Sequence, residues 1–172
     1  MPTTLKSING GYSVVGSGGP DIGHYEEADS QTYTDGMPVI LSSKKVAIAV
    51  ASGSDLDTDG AALLGLVLRD GRNGTSPGQV SGKPTVRDVP VMHANSQLLL
   101  RLPFWHTSGV TSAEYQDFEP GDSCVLRNVG GIFVANIGNT TKPILKLIRK
   151  EPAIPDAEGY YWGLWKCINS VF

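Results

Sequence analysis

Charge is scarce in this sequence. Only 18% of its 172 residues are Asp, Glu, Lys or Arg, against about 25% in an ordinary soluble domain. Part of the surface is therefore left for something else to cover. No Lys/Arg run exceeds two residues, and the formal net charge is −3. That removes the basic stripe a nucleic-acid partner requires. Long apolar runs are missing as well. None approaches the roughly 20 residues of a membrane helix, and the N-terminus shows no charged region ahead of an apolar core, so neither a membrane partner nor a secretory leader is expected. Cysteine is limited to Cys124 and Cys167. Each lies in an apolar run and reads as a buried thiol. A disulfide pinning the last strand to the sheet stays open, since pairing depends on proximity in space. Cys and His spacing fits no zinc site, and neither G-x-x-x-x-G-K-[ST] nor H-E-x-x-H occurs. No metal, no cofactor and no catalytic residue is expected.

What is present is turn chemistry between short apolar runs. The length fits one domain, or one domain plus an arm. A chain of this size buries about 70% of its unfolded surface, so it folds without a disulfide or a metal. Residues 1–34 are rich in Gly and hold only short apolar pieces. They read as an extended arm, either flexible or ordered on a neighbouring subunit, ahead of a β domain over 35–172. Tyr12, Val14, Val15 and Tyr25 are more apolar than a tail needs.

From Asp35 the period becomes two. Met37, Val39 and Leu41 alternate, then Val46, Ile48 and Val50, with Ser43-Lys44 between them. This predicts a hairpin. Pro38 cannot donate to a ladder, so its strand is expected at an edge or to begin there. Residues 61–69 are apolar on both faces with Gly65 in the middle; a buried strand fits better than a short helix. Residues 70–85 read as a loop. Val86 to Ala94 and Leu98 to Leu102, joined by Asn95-Ser96, predict a second hairpin, and 107–117 read as turns. Glu119-Pro120-Gly121-Asp122 meets the demand of a type II turn. Cys124 to Leu126 and Ile132 to Ala135 flank Gly130-Gly131 as a third hairpin, echoing the first. Ile144 to Arg149 and Tyr160 to Phe172 complete the strands, the latter with Tyr160, Trp162, Leu164 and Ile168 on one face. Short strands without a helical period predict an all-β fold, a small antiparallel barrel or sandwich.

Few residues carry chemistry. Asp55-Leu56-Asp57-Thr58-Asp59-Gly60 opens like an EF-hand loop, but position twelve is Leu66 where a bidentate Glu is needed. A solvated Asp/Gly turn is the better reading, with a weak cation site on a β loop left open. Gly121-Asp122-Ser123 resembles a hydrolase nucleophile block, yet a Pro-Gly turn precedes it, and His24, His93 and His106 lie in no supporting motif. A small hydrolase using Ser123 with His93 or His106 is the weakest reading; His93 reads as a satisfied core histidine. Asn73-Gly74-Thr75 and Asn139-Thr140-Thr141 match the glycosylation pattern and read as turns. Tyr160, Tyr161, Trp162 and Trp165 crowd one stretch, as a strand core or as an interface or sugar-stacking surface.

The order of elements resembles the head decoration (cement) proteins of tailed bacteriophages. The resemblance rests on the Gly-rich arm, Thr34-Asp35-Gly36-Met37-Pro38-Val39-Ile40-Leu41, Leu64-Gly65-Leu66-Val67-Leu68, Val89-Pro90-Val91-Met92 and Phe118-Glu119-Pro120-Gly121-Asp122-Ser123-Cys124-Val125-Leu126. It covers roughly residues 30 to 150; the arm and the aromatic tail are extra. It implies a non-enzymatic structural protein of the virion, made in the host cytoplasm and bound to the capsid exterior. The implied partners are the major capsid protein and copies of itself, most simply a homotrimer. Interface candidates are Tyr12, Val14, Val15, Tyr25, Trp105, Trp162 and Trp165. The competing reading is a carbohydrate-binding or adhesion module on a virion or cell surface, with Trp105 or Trp162 exposed.

Overall fold

A computed structural model describes residues 4–7, 10–14, 21–28, 31, 33, 36–57, 59–68, 88–94 and 98–171, with side chains from residue 21 onward except Asp88. In chain order the elements are β1 (Thr4–Ser7), β2 (Gly10–Val14), β3 (Ile22–Glu26), β4 (Pro38–Ser42), β5 (Lys45–Ile48), β6 (Asp55–Leu56), β7 (Leu63–Val67), β8 (Asp88–His93), β9 (Leu98–Trp105), α1 (Ser112–Asp117), β10 (Ser123–Val129), β11 (Ile132–Asn136), β12 (Leu145–Lys150) and β13 (Trp162–Cys167). The fold is all-β, as the alternating runs predict.

Five strands form a closed barrel in the order β9-β11-β10-β12-β13, because β13 pairs back onto β9. Its pairings are antiparallel except β9 with β11, which is parallel. Period-two alternation sets the inside. Leu98, Leu100, Leu102 and Phe104 of β9 are buried, while Leu99, Arg101 and Trp105 are half-buried on the other face. Trp165 of β13 is fully buried, with its ring centroid 4.9 Å from that of Phe104, and its indole N–H donates to the Leu102 carbonyl at 3.2 Å. That donation satisfies the one polar group the indole brings inside. Gly163 sits where a Cβ would lie 2.8 Å from the Phe104 ring and 3.0 Å from Leu147, so its lack of a side chain makes room for these larger neighbours.

Helix α1 covers part of this core. Thr111 caps it in a reciprocal box with Glu114, a pairing that satisfies two otherwise orphaned N–H groups. Its buried side chain, Tyr115, stacks on Tyr161 at 4.5 Å and meets Phe104 edge-on at 5.0 Å. The Tyr115 hydroxyl donates to the Glu151 carbonyl.

The second sheet runs β3-β8-β7-β4-β5, all antiparallel. It curls until Glu27, just past β3, bridges Val46 of β5. Strand β7 is buried at every position, which explains its continuous apolar run. One hydrophobic cluster spans both sheets. A further tie joins them: Ser170, beyond β13, bridges Leu63 of β7; strand β6 adds to the first sheet by pairing with β10.

Several expectations need revision. Strands β8 and β9 do not pair; β8 lies between β3 and β7, whereas β9 belongs to the barrel. A short connector between sheets has the same sequence character as a hairpin turn. For Pro38 the second of the two expected placements holds: β4 is interior, between β7 and β5, and Pro38 begins it. Residues 112–117 are helical, and the cue was the T-x-x-E spacing of Thr111 and Glu114. In β13 the buried residues are Gly163, Trp165 and Cys167, the opposite face from the one expected. The first and third hairpins, β4–β5 and β10–β11, both form, but in different sheets. Ser43 and Lys44 take positive φ of 50° and 68°, the backbone of a two-residue hairpin turn. The type II turn is present, with Gly121 at φ 107° and Asp122 N–H donating to the Glu119 carbonyl at 2.9 Å. The loop over 70–85 lies outside the described residues.

Within the segment expected to be an arm, β2 pairs with β9 and β3 pairs with β8. Strand β1 pairs with β2 and ends the sheet.

Candidate functional site: a polar pocket beside Trp105

Where β9 and β11 end side by side, Asn136 is registered against Trp105. Beyond them the chain turns twice, at Thr107 and at Gly138. Thr107 holds a positive φ of 45° in a tight turn closed by two backbone hydrogen bonds between His106 and Gly109. Together Trp105, Thr107, Arg127, Asn136 and Gly138 line a half-open pocket of about 250 Å³.

Asp55 organises its polar wall. Strand β6 places it opposite Arg127 of β10. Arg127 Nη1 donates to Asp55 Oδ1 at 2.8 Å, and Nη2 to the Gly53 carbonyl at 2.9 Å. The Asn136 amide donates to Asp55 Oδ1 at 3.2 Å, and the Asn139 amide to Oδ2 at 3.0 Å. Asn136 Oδ1 in turn accepts from Gly138 N–H at 3.2 Å. The guanidinium and both amides are thus fixed in orientation, and the Arg127 charge is balanced by one carboxylate. Close by, His106 Nδ1 lies 2.8 Å from Glu114 Oε1. The Thr111 backbone N–H and hydroxyl, and then the nearby imidazole, hold the Glu114 carboxyl below its ordinary range.

No family model, characterised protein or solved structure matches this chain.

The acidic loop is spent on structure. Asp55 serves the network above, Asp57 Oδ1 accepts from the Asp59 and Gly60 N–H groups, and Asp59 pairs with Lys142. Among the described residues no group of three His, Cys, Asp or Glu is placed to hold a metal ion. Ser123 sits on β10 opposite Lys146. His106 is engaged with Glu114, and buried His93 lies 2.8 Å from Asp21 Oδ2 and 2.6 Å from the Tyr25 hydroxyl. His93 is the satisfied histidine that its place on an apolar strand face predicts. Burial, and then the Asp21 charge, raise the Tyr25 pKa.

The interface candidates separate. Trp165 is fully buried in the barrel, so it belongs to the core and cannot contribute to a surface. Trp162 is half-buried and held on both sides: Arg101 stacks 4.1 Å above its ring, and its indole N–H donates to Asp156 at 2.6 Å. Arg101 itself forks onto Glu151 at 2.6 and 2.8 Å. Tyr25 is half-buried with its hydroxyl committed to His93. Tyr12 and Val14 fall on β2, but their side chains lie outside the described residues, as does Val15 entirely. Trp105 borders the pocket described above. Thr107 lies beside it in sequence, but Arg127, Asn136 and Gly138 come from the distant β10–β11 hairpin and the turn after it, so only the aromatic could be singled out in sequence.

Both thiols are free and buried. Cys124 is registered against Leu145, and Leu145 against Cys167. Two strand spacings of about 4.8 Å separate them, beyond the roughly 7 Å limit for a disulfide.

Proposed function

We propose that the chain is a non-catalytic structural protein of a tailed-phage virion, seated on the capsid exterior and clamping neighbouring capsid subunits as a homo-oligomer, most simply a trimer. The observation that carries this reading is the N-terminal hairpin. Strand β2 is laid on β9 outside the closed barrel, and β1 ends the sheet with no described strand beyond it. A terminal strand offers a row of N–H and C=O groups to a strand of another chain. Closing the barrel pairs β9 and β13 with each other, so among the described residues the longer strands outside the barrel in that sheet are those of the hairpin, with the two-residue β6 on β10 beside them. Three of the resembling segments also fall on neighbouring strands, β4, β7 and β8, of the second sheet. Repeated over a symmetric shell, a modest contact gains large avidity.

The test is co-sedimentation with assembled capsids of the phage that encodes the chain, comparing the full chain with a variant lacking residues 1–7. The full chain is expected to bind and the variant to lose most of its binding while melting as before. Equal binding by both would remove the hairpin from the interface. Absence of the protein from purified virions would end the reading.

A further inference from the structure

We infer that the pocket beside Trp105 is a binding site for a single neutral sugar ring. This goes beyond capsid attachment and involves residues apart from the N-terminal hairpin. The volume comes first. About 250 Å³ falls just under the roughly 300–1,000 Å³ of pockets for drug-sized ligands, which suits one six-membered ring with its hydroxyls and little more.

The chemistry of the wall narrows the class. A sugar ring has an apolar C–H face and a rim of hydroxyls, so it needs one flat aromatic and several hydrogen-bonding groups. Trp105 supplies the first as a half-buried indole at the end of β9. Arg127, Asn136 and Thr107 supply the second. These groups are held before any ligand arrives, since Arg127 and Asn136 are both anchored on Asp55 and Asn136 is further fixed by Gly138 N–H. A site fixed in advance loses less side-chain entropy on binding.

Charge decides between a neutral and an anionic ligand. Among the described residues Arg127 is the one cation lining the pocket, and its guanidinium is committed to Asp55 and to the Gly53 carbonyl. At the rim, the His106 imidazole lies 2.8 Å from Glu114 Oε1. The Arg127 charge is balanced by the Asp55 carboxylate, so a phosphate, sulfate or carboxylate gains little there. Gly138 adds a steric condition. A Cβ at this position would meet the His106 ring, so the bare backbone keeps both the turn and the pocket rim open.

The experiment is a titration of the isotope-labelled full chain, followed by NMR, with methyl glucoside, methyl galactoside, methyl mannoside and N-acetylglucosamine at millimolar concentration. Inorganic phosphate runs as the anionic arm. At least one sugar is expected to shift the Trp105 indole N–H and the Asn136 amide, with the Trp162 indole unmoved. Trp105→Ala is expected to weaken that binding about tenfold or more, the scale of a lost aromatic contact, and Trp105→Phe to restore part of it. Trp105→Phe also guards against misfolding, because it keeps a flat ring at the strand end. The inference is overturned if none of the sugars shifts these signals, if Trp105→Ala binds as the parent does, or if phosphate binds the pocket more tightly than every sugar.

Discussion

Gly65 is the position where one added methyl group tests the fold most sharply. It lies in the middle of β7, registered against Val39 on one side and His93 on the other. An ideal Cβ there falls on the carbonyl of Met92 and 2.9 Å from Val91 Cγ1. A flexible side chain could swing away, but a backbone carbonyl inside a ladder cannot. In Gly65→Ala, β7 and β8 must therefore part. Two hydrogen bonds bracket the clash: Ala94 N–H to the Leu64 carbonyl at 2.9 Å and Leu68 N–H to the Pro90 carbonyl at 3.0 Å. Losing them removes about 0.5–1.5 kcal/mol each, and overpacking adds about 1–3 kcal/mol. A destabilisation of about 2–6 kcal/mol follows, a large share of the roughly 5–15 kcal/mol that holds a domain folded. At about 2–4 °C per kcal/mol for a chain of this length, Tm falls by roughly 4–24 °C. Gly130→Ala is the control. Its φ is 62° and its Cβ meets nothing within 4 Å, so only the left-handed backbone opposes it, at about 1–2 kcal/mol. Calorimetry and urea titration of the two variants decide the matter. A Gly65→Ala protein that melts within about 3 °C of the parent, or no lower than Gly130→Ala, would refute the close β7–β8 approach.

Asp55→Ala is expected to destabilise by about 2–3 kcal/mol, since Arg127, Asn136 and Asn139 all lose their acceptor; Asp57→Ala, which only opens a local turn, should change far less, and equal urea midpoints would sink the hub role of Asp55. High pH should weaken the fold. Burial pushes the Cys167 thiol up to about 11, the Tyr33 hydroxyl up to about 12 and the Cys124 thiol upward. Unfolded thiols ionise near 8.5 and tyrosine near 10, so the unfolded chain loses these protons first. The stabilisation is complete below about pH 8.5 and is lost as pH climbs through 11 and 12. Tm measured against pH should decline over that window, and replacing both cysteines by Ala should flatten its lower part; a level profile in the parent would contradict the burial of these groups.

The short alternating runs were enough to determine an all-β chain, two of its hairpins, the strand at β7 and the turn before β10. Those features are local. Two-residue periodicity sets which side chains share a face, Ser43-Lys44 and Gly130-Gly131 set tight turns, and Pro120-Gly121 permits one turn type. The absence of a basic stripe and of long apolar runs is likewise written in composition. Tertiary structure alone decided partners. Whether β8 pairs with β9 depends on competition from β3, β7, β13 and β2, and no local pattern records which edge wins. The buried face of β13 followed from barrel closure, where Gly163 leaves room for Phe104 and Leu147 beside Trp165, whereas the aromatic run reads equally well from either side. The pocket beside Trp105 was least legible of all. Asp55 lies 72 residues before Arg127 and 81 before Asn136, each ordinary in its own segment. They become a site only because β6 adds to β10, and because β11 lies parallel to β9 so that both strands end at the same rim.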